Sequence, residues 1–320
     1  MNNTFYEIKP SLSINITSNC NFNCIYCPPY GENFIECHNM CNCDTVLSLV
    51  NLCEKFKLPV IRMTGGEPLL YPERVLKILE TCHSGYSGKV ILNTNGSLID
   101  RYFDSLEQYK DDFLLKISLD SLDKKHFKQI TNQNSFEKVL DNLKTAAKKG
   151  FKIEINTVVT KINCDDIFSV IKFAEKYGMN IKLFGINDFE GLVDSDKIYI
   201  DLNTIVDKLS NEYKQCSNES LPGDRGISML KYELSNNHYI WVVNHNRKDC
   251  ANKTYSKLCN SCQFYPCATG RFSITLRSDG LLQGCRMQPE NGIQISSLSV
   301  DELEKSFVKI LNEYKQCYKL

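Results

Sequence analysis

The chain predicts an α/β fold: a partial (β/α)6 TIM-like barrel followed by a smaller C-terminal domain. Three observations carry this expectation. Strand-like apolar runs alternate with amphipathic helical segments from Leu12 to Ile186. The strand ends carry a cysteine run, a glycine pair, an Asn-Gly turn and an acidic turn rather than plain loops. The alternation stops near Asn187, and clustered cysteines follow in the last third of the chain. Alternating strands and helices with right-handed crossovers make a parallel sheet. Ligands of such barrels sit at the carboxyl ends of the strands.

Leu12, Ile14 and Ile16 alternate with polar residues, the period of a first strand. Asp44 is placed to cap a helix carrying Val46, Leu49, Val50 and Cys53 at helical spacing. Strand Val60 to Met63 runs into Thr64-Gly65-Gly66-Glu67-Pro68, and a helix near Glu73 to Cys82 leads to strand Lys89 to Thr94 with its Asn95-Gly96 turn. A helix near Arg101 to Tyr109, strand Leu114 to Asp120, a helix capped by Ser135 and stopped by Gly150, and strand Phe151 to Thr160 continue the pattern. A helix at Asp165 to Tyr177 and strand Ile181 to Ile186 complete it. A helix near Leu202 to Tyr213 and strand-like runs Ile227 to Leu234 and His238 to Val243 come next. Ser299 and Glu302 form a capping box for the closing helix. The expected division is 1–214 for the barrel and 215–320 for the second domain.

Composition narrows the partners. The 320 residues suffice for one large core, and Lys plus Arg equals Asp plus Glu at 38 each, so no cationic excess points to nucleic acid or an anionic membrane. A small-molecule substrate is expected. The amino terminus lacks a signal peptide's basic and apolar regions, and no apolar run approaches about 18 residues, so the expected location is cytoplasmic. Sixteen cysteines in a reducing compartment point to metal ligation where they cluster.

Cys20, Cys24 and Cys27 form a Cys-x3-Cys-x2-Cys run, three thiolates in one loop. Zinc generally takes four ligands, whereas three thiolates suit a 4Fe-4S cube with one iron left open to another molecule. Tyr26 is placed to stack on that molecule. Cys259, Cys262, Cys267 and Cys285 make a second group, fit either for a further cluster or for zinc, with Asp279-Gly280 as a hairpin turn folding the last ligand back. Cys250 is a possible fifth ligand; Cys37, Cys41 and Cys43 are irregularly spaced and read as a cysteine-containing loop. Gly65 and Gly66 permit close backbone approach, and Glu67 offers a carboxylate for an ammonium.

The cysteine run with Gly65-Gly66-Glu67-Pro68 resembles the radical SAM superfamily. Ile117-Ser-Leu-Asp-Ser-Leu-Asp, Phe127, Ile130-Thr131, Phe136-Glu-Lys-Val-Leu, Gly150-Phe151 and Ile155-Asn-Thr-Val-Val look like the GTP cyclase of molybdenum-cofactor biosynthesis and its relatives. The resemblance implies a 4Fe-4S cluster on Cys20, Cys24 and Cys27 and S-adenosylmethionine on the open iron, cleaved reductively to a 5′-deoxyadenosyl radical. It places Tyr26, Gly65, Gly66, Glu67, Pro68, Ser118 and Asp120 at S-adenosylmethionine. Arg62, Thr94, Lys161 and Arg271 fall at substrate. Cys259, Cys262, Cys267 and Cys285 fall in an auxiliary, twitch-type cluster module, giving two clusters. The reductant would be a flavodoxin or ferredoxin.

Two positions depart from that family. Its arginine seven residues before the first cysteine is Ser13, and its Arg-x-Arg pair is Arg271 and Ser273. Two lost guanidiniums remove phosphate contacts that are hard to replace, so GTP cyclisation is not expected. The expected substrate is small, uncharged and purine-like, the most specific candidate being cleavage of a modified deazaguanine base by a queuine lyase. The alternatives are a peptide-modifying radical SAM maturase and a non-catalytic iron-sulfur or zinc protein.

Overall fold

The computed structural model describes residues 9–28, 41–186, 195–216, 229–243, 273–285 and 289–314. The first half runs β1 (Ser11–Asn15), α1 (Cys43–Lys55), β2 (Val60–Thr64), α2 (Pro72–Gly85), β3 (Lys89–Thr94), α3 (Phe103–Glu107), β4 (Phe113–Ser118), α4 (Lys124–Thr131), α5 (Phe136–Lys148), β5 (Ile153–Val158), α6 (Ile167–Lys176) and β6 (Asn180–Phe184). Then come α7 (Ser195–Ile198), α8 (Asn203–Glu212), β7 (Leu230–Glu233), β8 (Tyr239–Val243), β9 (Ser273–Leu276), β10 (Leu281–Gln283), β11 (Ile293–Gln294) and α9 (Val300–Tyr314).

β1 to β6 pair in sequence order, all parallel, as the alternation predicts. The full sheet has the order β11-β10-β9-β1-β2-β3-β4-β5-β6-β8-β7. Its late strands extend both edges: β9 pairs parallel with β1, and β8 parallel with β6. β10, β11 and β7 are antiparallel. The architecture is a partial α/β barrel.

The two faces of the sheet differ sharply. Leu12, Ile14, Ile61, Met63, Leu92, Leu115, Ile155 and Leu183 face outward and pack in one core with Leu49, Val75, Ile78, Val139, Leu143, Val170 and Ile171 of the helices. Each such side chain contributes about 1.5–3 kcal/mol on burial. The inward face is polar although buried: Ser13, Arg62, Lys116, Glu154, Lys182, Thr275 and Gln283 all lie there. Strands buried on both faces are ordinarily apolar on both. Here the interior holds ions paired with one another, with Glu154 Oε1 2.6 Å from Lys116 Nζ and 3.6 Å from Lys182 Nζ. Such a lining suits a polar guest.

Some local expectations shift. Asn42, not Asp44, caps α1, its side chain accepting from Asp44 N. Ser135 precedes α5 without a side-chain cap bond, its backbone carbonyl accepting from Val139 N instead. The capping box at Ser299 and Glu302 is present, with Ser299 N donating to Glu302 Oε2 at 2.9 Å and Glu302 N to Ser299 Oγ at 3.4 Å. The Asp279-Gly280 turn joins β9 to β10, with Gly280 at φ +90°. Helix α9 covers this edge: Phe307 packs on Phe56, and Tyr314 donates its hydroxyl to Ser273 O at 3.1 Å.

Candidate active site at the carboxyl ends of the strands

β1 delivers the chain into the cysteine loop. The loop is tied down by α4, since Asn23 N donates to Thr131 O and Ile25 N to Ile130 O at 3.2 and 2.9 Å. Asn132, left-handed at φ 55°, reaches Asn23 O through its amide, and Phe22 meets Phe127 edge-on. Cys20 and Cys27 are exposed, and Cys24 is half-buried. Burial pushes the Cys24 thiol well up, and Asp120, Cys27 and Cys20 push it further in that order. Desolvation likewise raises Cys20. A cationic group reverses such shifts, because coordination holds a thiol deprotonated.

The donor set also distinguishes the kind of group it can hold. Four-coordinate zinc with bonds of about 2.3 Å requires sulfurs about 3.8 Å apart. Among the described residues no three His, Cys, Asp or Glu side chains converge on a single ion. Three thiols in one loop suit a multinuclear cluster, which takes each sulfur on a different metal and leaves one metal open.

The glycine turn after β2 lies against this loop. Gly66 N donates to Thr17 O and Glu67 N to Asn19 O, both at 2.8 Å. A Cβ on Gly66 would stand 2.0 Å from Asn19 O, and one on Gly65, at φ +128°, would stand 2.4 Å from Thr17 O. The close approach expected of these glycines is therefore made to the cysteine loop itself.

Glu67, expected to offer a carboxylate to an ammonium, is fully buried. Its oxygens accept from Leu69 N at 3.0 Å, Thr94 Oγ1 at 2.7 Å and Asn95 N at 2.7 Å. Burial raises its pKa to about 6 against the lowering effect of those donors. Pro68 opens a short 3-10 turn, Pro68–Leu70, that Glu67 caps. Thr94, expected at substrate, is 4% exposed; its hydroxyl donates to Glu67 and accepts from Gly96 N. Both side chains are turned to each other rather than into open space.

Tyr26 and Asp120 meet across the mouth. Tyr26 Oη donates to Asp120 Oδ2 at 2.8 Å, and Val158 N donates to Asp120 Oδ1 at 2.8 Å. Burial raises Asp120 to about 6. Ser118 ends β4 on the inward face, level with Asn156. Lys161 is exposed on the loop after β5, its amide bound to Ile198 O at 2.9 Å.

Three further side chains were not singled out from sequence. Asn95 Nδ2 lies 2.8 Å from Asn21 Oδ1 and 3.9 Å from Cys20 Sγ, and Asn21 Nδ2 donates to Ser97 Oγ at 2.9 Å. Only the Asn95-Gly96 turn was visible in the sequence, and its glycine takes φ +80°.

Deeper in the barrel, Arg62 Nη1 donates to Ser13 Oγ at 3.2 Å, and Ser13 Oγ lies 3.0 Å from Ser273 Oγ. The two positions expected to have lost arginines are thus in contact. Cys41 is buried against the β9–β10 turn, its amide donating to Ser278 O at 2.6 Å, with Cys43 half-buried beside it. Cys285 follows β10 and is half-buried. Cys37, Cys250, Cys259, Cys262, Cys267 and Arg271 lie outside the described residues.

Residues 14–174 match the sequence profile of the radical SAM superfamily. The chain belongs to that superfamily. It is 28% identical over 303 residues to the GTP 3′,8-cyclase of Synechocystis sp., covering 94% of this chain and 85% of the relative. Against the GTP 3′,8-cyclase of Helicobacter pylori the identity is 25% over 321 residues, covering 97% of this chain and 90% of that one. Among solved structures, anSMEcpe with bound AdoMet matches with a TM-score of 0.62 at 16% identity, covering 97% of this chain and 84% of that one. Streptococcus suis SuiB bound to S-adenosylmethionine matches with a TM-score of 0.63 at 16% identity, covering 87% of this chain and 60% of that one. These structures share the fold. The curated relatives are named as cyclases, so the lyase and queuine expectations gain nothing from them. Radical SAM membership implies a 4Fe-4S cluster and S-adenosylmethionine. Among the described residues no helix is long and apolar enough to cross a membrane.

Proposed function

We propose that this radical SAM enzyme acts on a small, non-phosphorylated, purine-like substrate inside the barrel, beneath S-adenosylmethionine bound at the strand ends. The observation that carries the substrate class is the Ser13–Ser273 contact at 3.0 Å. Where the resemblance to the cyclases calls for two guanidiniums, two hydroxyls bond each other, and Arg62 donates to one of them. A triphosphate brings several charges that need paired donors, and burying it against hydroxyls costs more than the contacts return. The purine part of the reading rests on the similarity to proteins named GTP 3′,8-cyclase.

Within this reading Cys20, Cys24 and Cys27 hold the 4Fe-4S cluster, which when bound supplies the electron for reductive cleavage of S-adenosylmethionine. Tyr26 and Ser118 border the cofactor. Gly65 and Gly66 let the turn after β2 lie against the cysteine loop, and Glu67 anchors that turn. Arg62 faces the substrate, with Lys161 at the rim. Residues 215–320 form the auxiliary module, with Cys259, Cys262, Cys267 and Cys285 as cluster ligands. A flavodoxin or ferredoxin serves as reductant.

Anaerobic titration of the cluster-loaded, S-adenosylmethionine-bound protein with guanine, guanosine and GTP tests the substrate class. Base or nucleoside should bind more tightly than triphosphate. Tighter GTP binding, or binding of a peptide alone, would overturn the reading. The radical chemistry has its own check: Cys20→Ala, Cys24→Ala and Cys27→Ala should each abolish reductive formation of 5′-deoxyadenosine.

A further inference from the structure

The inward faces of four neighbouring strands carry one polar row. Gln283 of β10 stands opposite Thr275 of β9, Thr275 is level with Ser13 of β1, and Ser13 is level with Arg62 of β2. Neighbouring strands lie about 4.8 Å apart, so adjacent members of the row can reach one small ring. The row also lies between the two thiol sites. The Cys20 loop follows the carboxyl end of β1, whereas Cys285 follows antiparallel β10 at the opposite end of these strands.

Gln283 is the unexplained member. It is 3% exposed, yet its Oε1 has no hydrogen-bond partner among the described residues. Leaving a buried acceptor without a donor is costly, and folded proteins rarely keep one without a use. A methionine would fill the same volume without that cost. Two more amide oxygens on the inward face share this condition, Asn93 Oδ1 on β3 and Asn156 Oδ1 on β5. The interior therefore presents acceptors that await N–H or O–H groups from a guest, in the same row as the guanidinium of Arg62.

We propose that Gln283 is a substrate-recognition residue, its Oε1 accepting the N–H of a lactam edge, N–H beside C=O, of a ring held in the barrel interior. This rests on the preceding reading and deepens it from a purine-like ring to the edge that is read. A base with only a ring nitrogen acceptor at that position would meet an acceptor with an acceptor and be rejected, since unpaired buried groups discriminate strongly.

Hypoxanthine and 1-methylhypoxanthine are the probes, titrated anaerobically into the full, cluster-loaded chain with S-adenosylmethionine present. The wild type should bind hypoxanthine about tenfold or more tighter than its N-methyl derivative, the scale of one lost buried hydrogen bond. Gln283→Met should erase that preference and leave S-adenosylmethionine affinity unchanged. Its ligand-free melting temperature should equal or exceed the wild type's, because an unpaired polar group has been removed. A purely structural glutamine predicts the reverse. Equal affinity for the two bases, an unchanged preference in Gln283→Met, a lowered melting temperature or a variant that fails to fold would each overturn the proposal. A wild type that prefers GTP fails the preceding reading alone, and GTP against 1-methyl-GTP then tests the lactam edge. Base binding indifferent to both N-methylation and Gln283 fails this proposal alone.

Discussion

Thr94 donates its hydroxyl to the Glu67 carboxylate at 2.7 Å, joining the ends of β2 and β3 directly beneath the cysteine loop. Asn95 N and Leu69 N donate to the same carboxylate. Glu67→Ala would leave three donors without their carboxylate, two of them buried, each buried one costing about 1–3 kcal/mol where water cannot enter. Urea unfolding of the metal-free protein should therefore show a loss of several kcal/mol. A carboxylate whose sole task was to hold a ligand would leave metal-free stability unchanged.

Gly66 makes a second demand on the same junction. Its missing side chain leaves room for Asn19 O, Asn19 C and Cys20 N, which a Cβ would meet at 2.0, 2.4 and 3.0 Å. These are backbone atoms that cannot rotate away, so Gly66→Ala must displace the loop that carries the first thiol. Iron bound per chain after anaerobic reconstitution should fall sharply, while circular dichroism of the barrel stays close to wild type. Full iron loading in this variant would show that the loop tolerates the shift.

The raised pKa of Glu67 predicts a pH dependence with a definite sign. The carboxyl titrates at about 6 in the folded chain against an ordinary 4.5. The folded state thus binds its proton first as pH falls, and stability from this group is complete below about 4.5 and lost as pH rises through 6. Between those limits the difference is about 2 kcal/mol. Glu67→Gln, which cannot titrate, should remove that part of the slope when urea midpoints are compared from pH 4.5 to 7.

The barrel was legible because its signals are local. Alternating apolar residues, as at Leu12, Ile14 and Ile16, and stops such as Gly150 depend on near neighbours. Helix α4 was missed for the same reason: Lys124–Thr131 has only Phe127 and Ile130 as large apolar residues, too few to mark a helical stripe, although Asp123 caps it by accepting from Lys125 N and His126 N. The short strands β9 and β10 also lack enough residues to show a period. Residue types at the site were readable, but their partners were not. Ser13 and Ser273 are 260 positions apart, and nothing local says that they touch. At Glu67 and Thr94 the sequence shows a carboxylate and a hydroxyl near strand ends, which suggests ligand contacts, without showing that the two face each other.

Iron content separates the two readings of the later cysteines. A 4Fe-4S cluster at Cys20, Cys24 and Cys27 and another at Cys259, Cys262, Cys267 and Cys285 give about eight irons per chain after reconstitution. A zinc site in the second group gives about four irons and one zinc instead. Cys285→Ala should remove about four irons in the first case and leave iron unchanged in the second.

The bond from Tyr26 to Asp120 predicts how the mouth is kept in shape. Tyr26 lies beside Cys27 in sequence, while Asp120 follows β4 and is held by Val158 N and, through its own carbonyl, by Asn163 Nδ2 at 2.6 Å. The phenol thus ties a short loop to the carboxyl ends of the central strands β4 and β5. In Tyr26→Phe the ring remains but the tether goes, and Asp120 Oδ2 loses its hydroxyl donor. Burial already raises Asp120, and loss of a donor to its charged form raises it further. Thermal stability should fall by about 1–3 kcal/mol at neutral pH, the cost of one unsatisfied buried charged acceptor. S-adenosylmethionine should still bind, several-fold more weakly, because the ring is present but no longer oriented. Asp120→Asn removes the charge and keeps an acceptor, so added to Tyr26→Phe it should recover much of the lost stability but little of the lost affinity. Calorimetric titration and melting curves on the two single variants and the double variant measure both quantities, and recovery of affinity along with stability would show that the phenol's tether does not orient the ring.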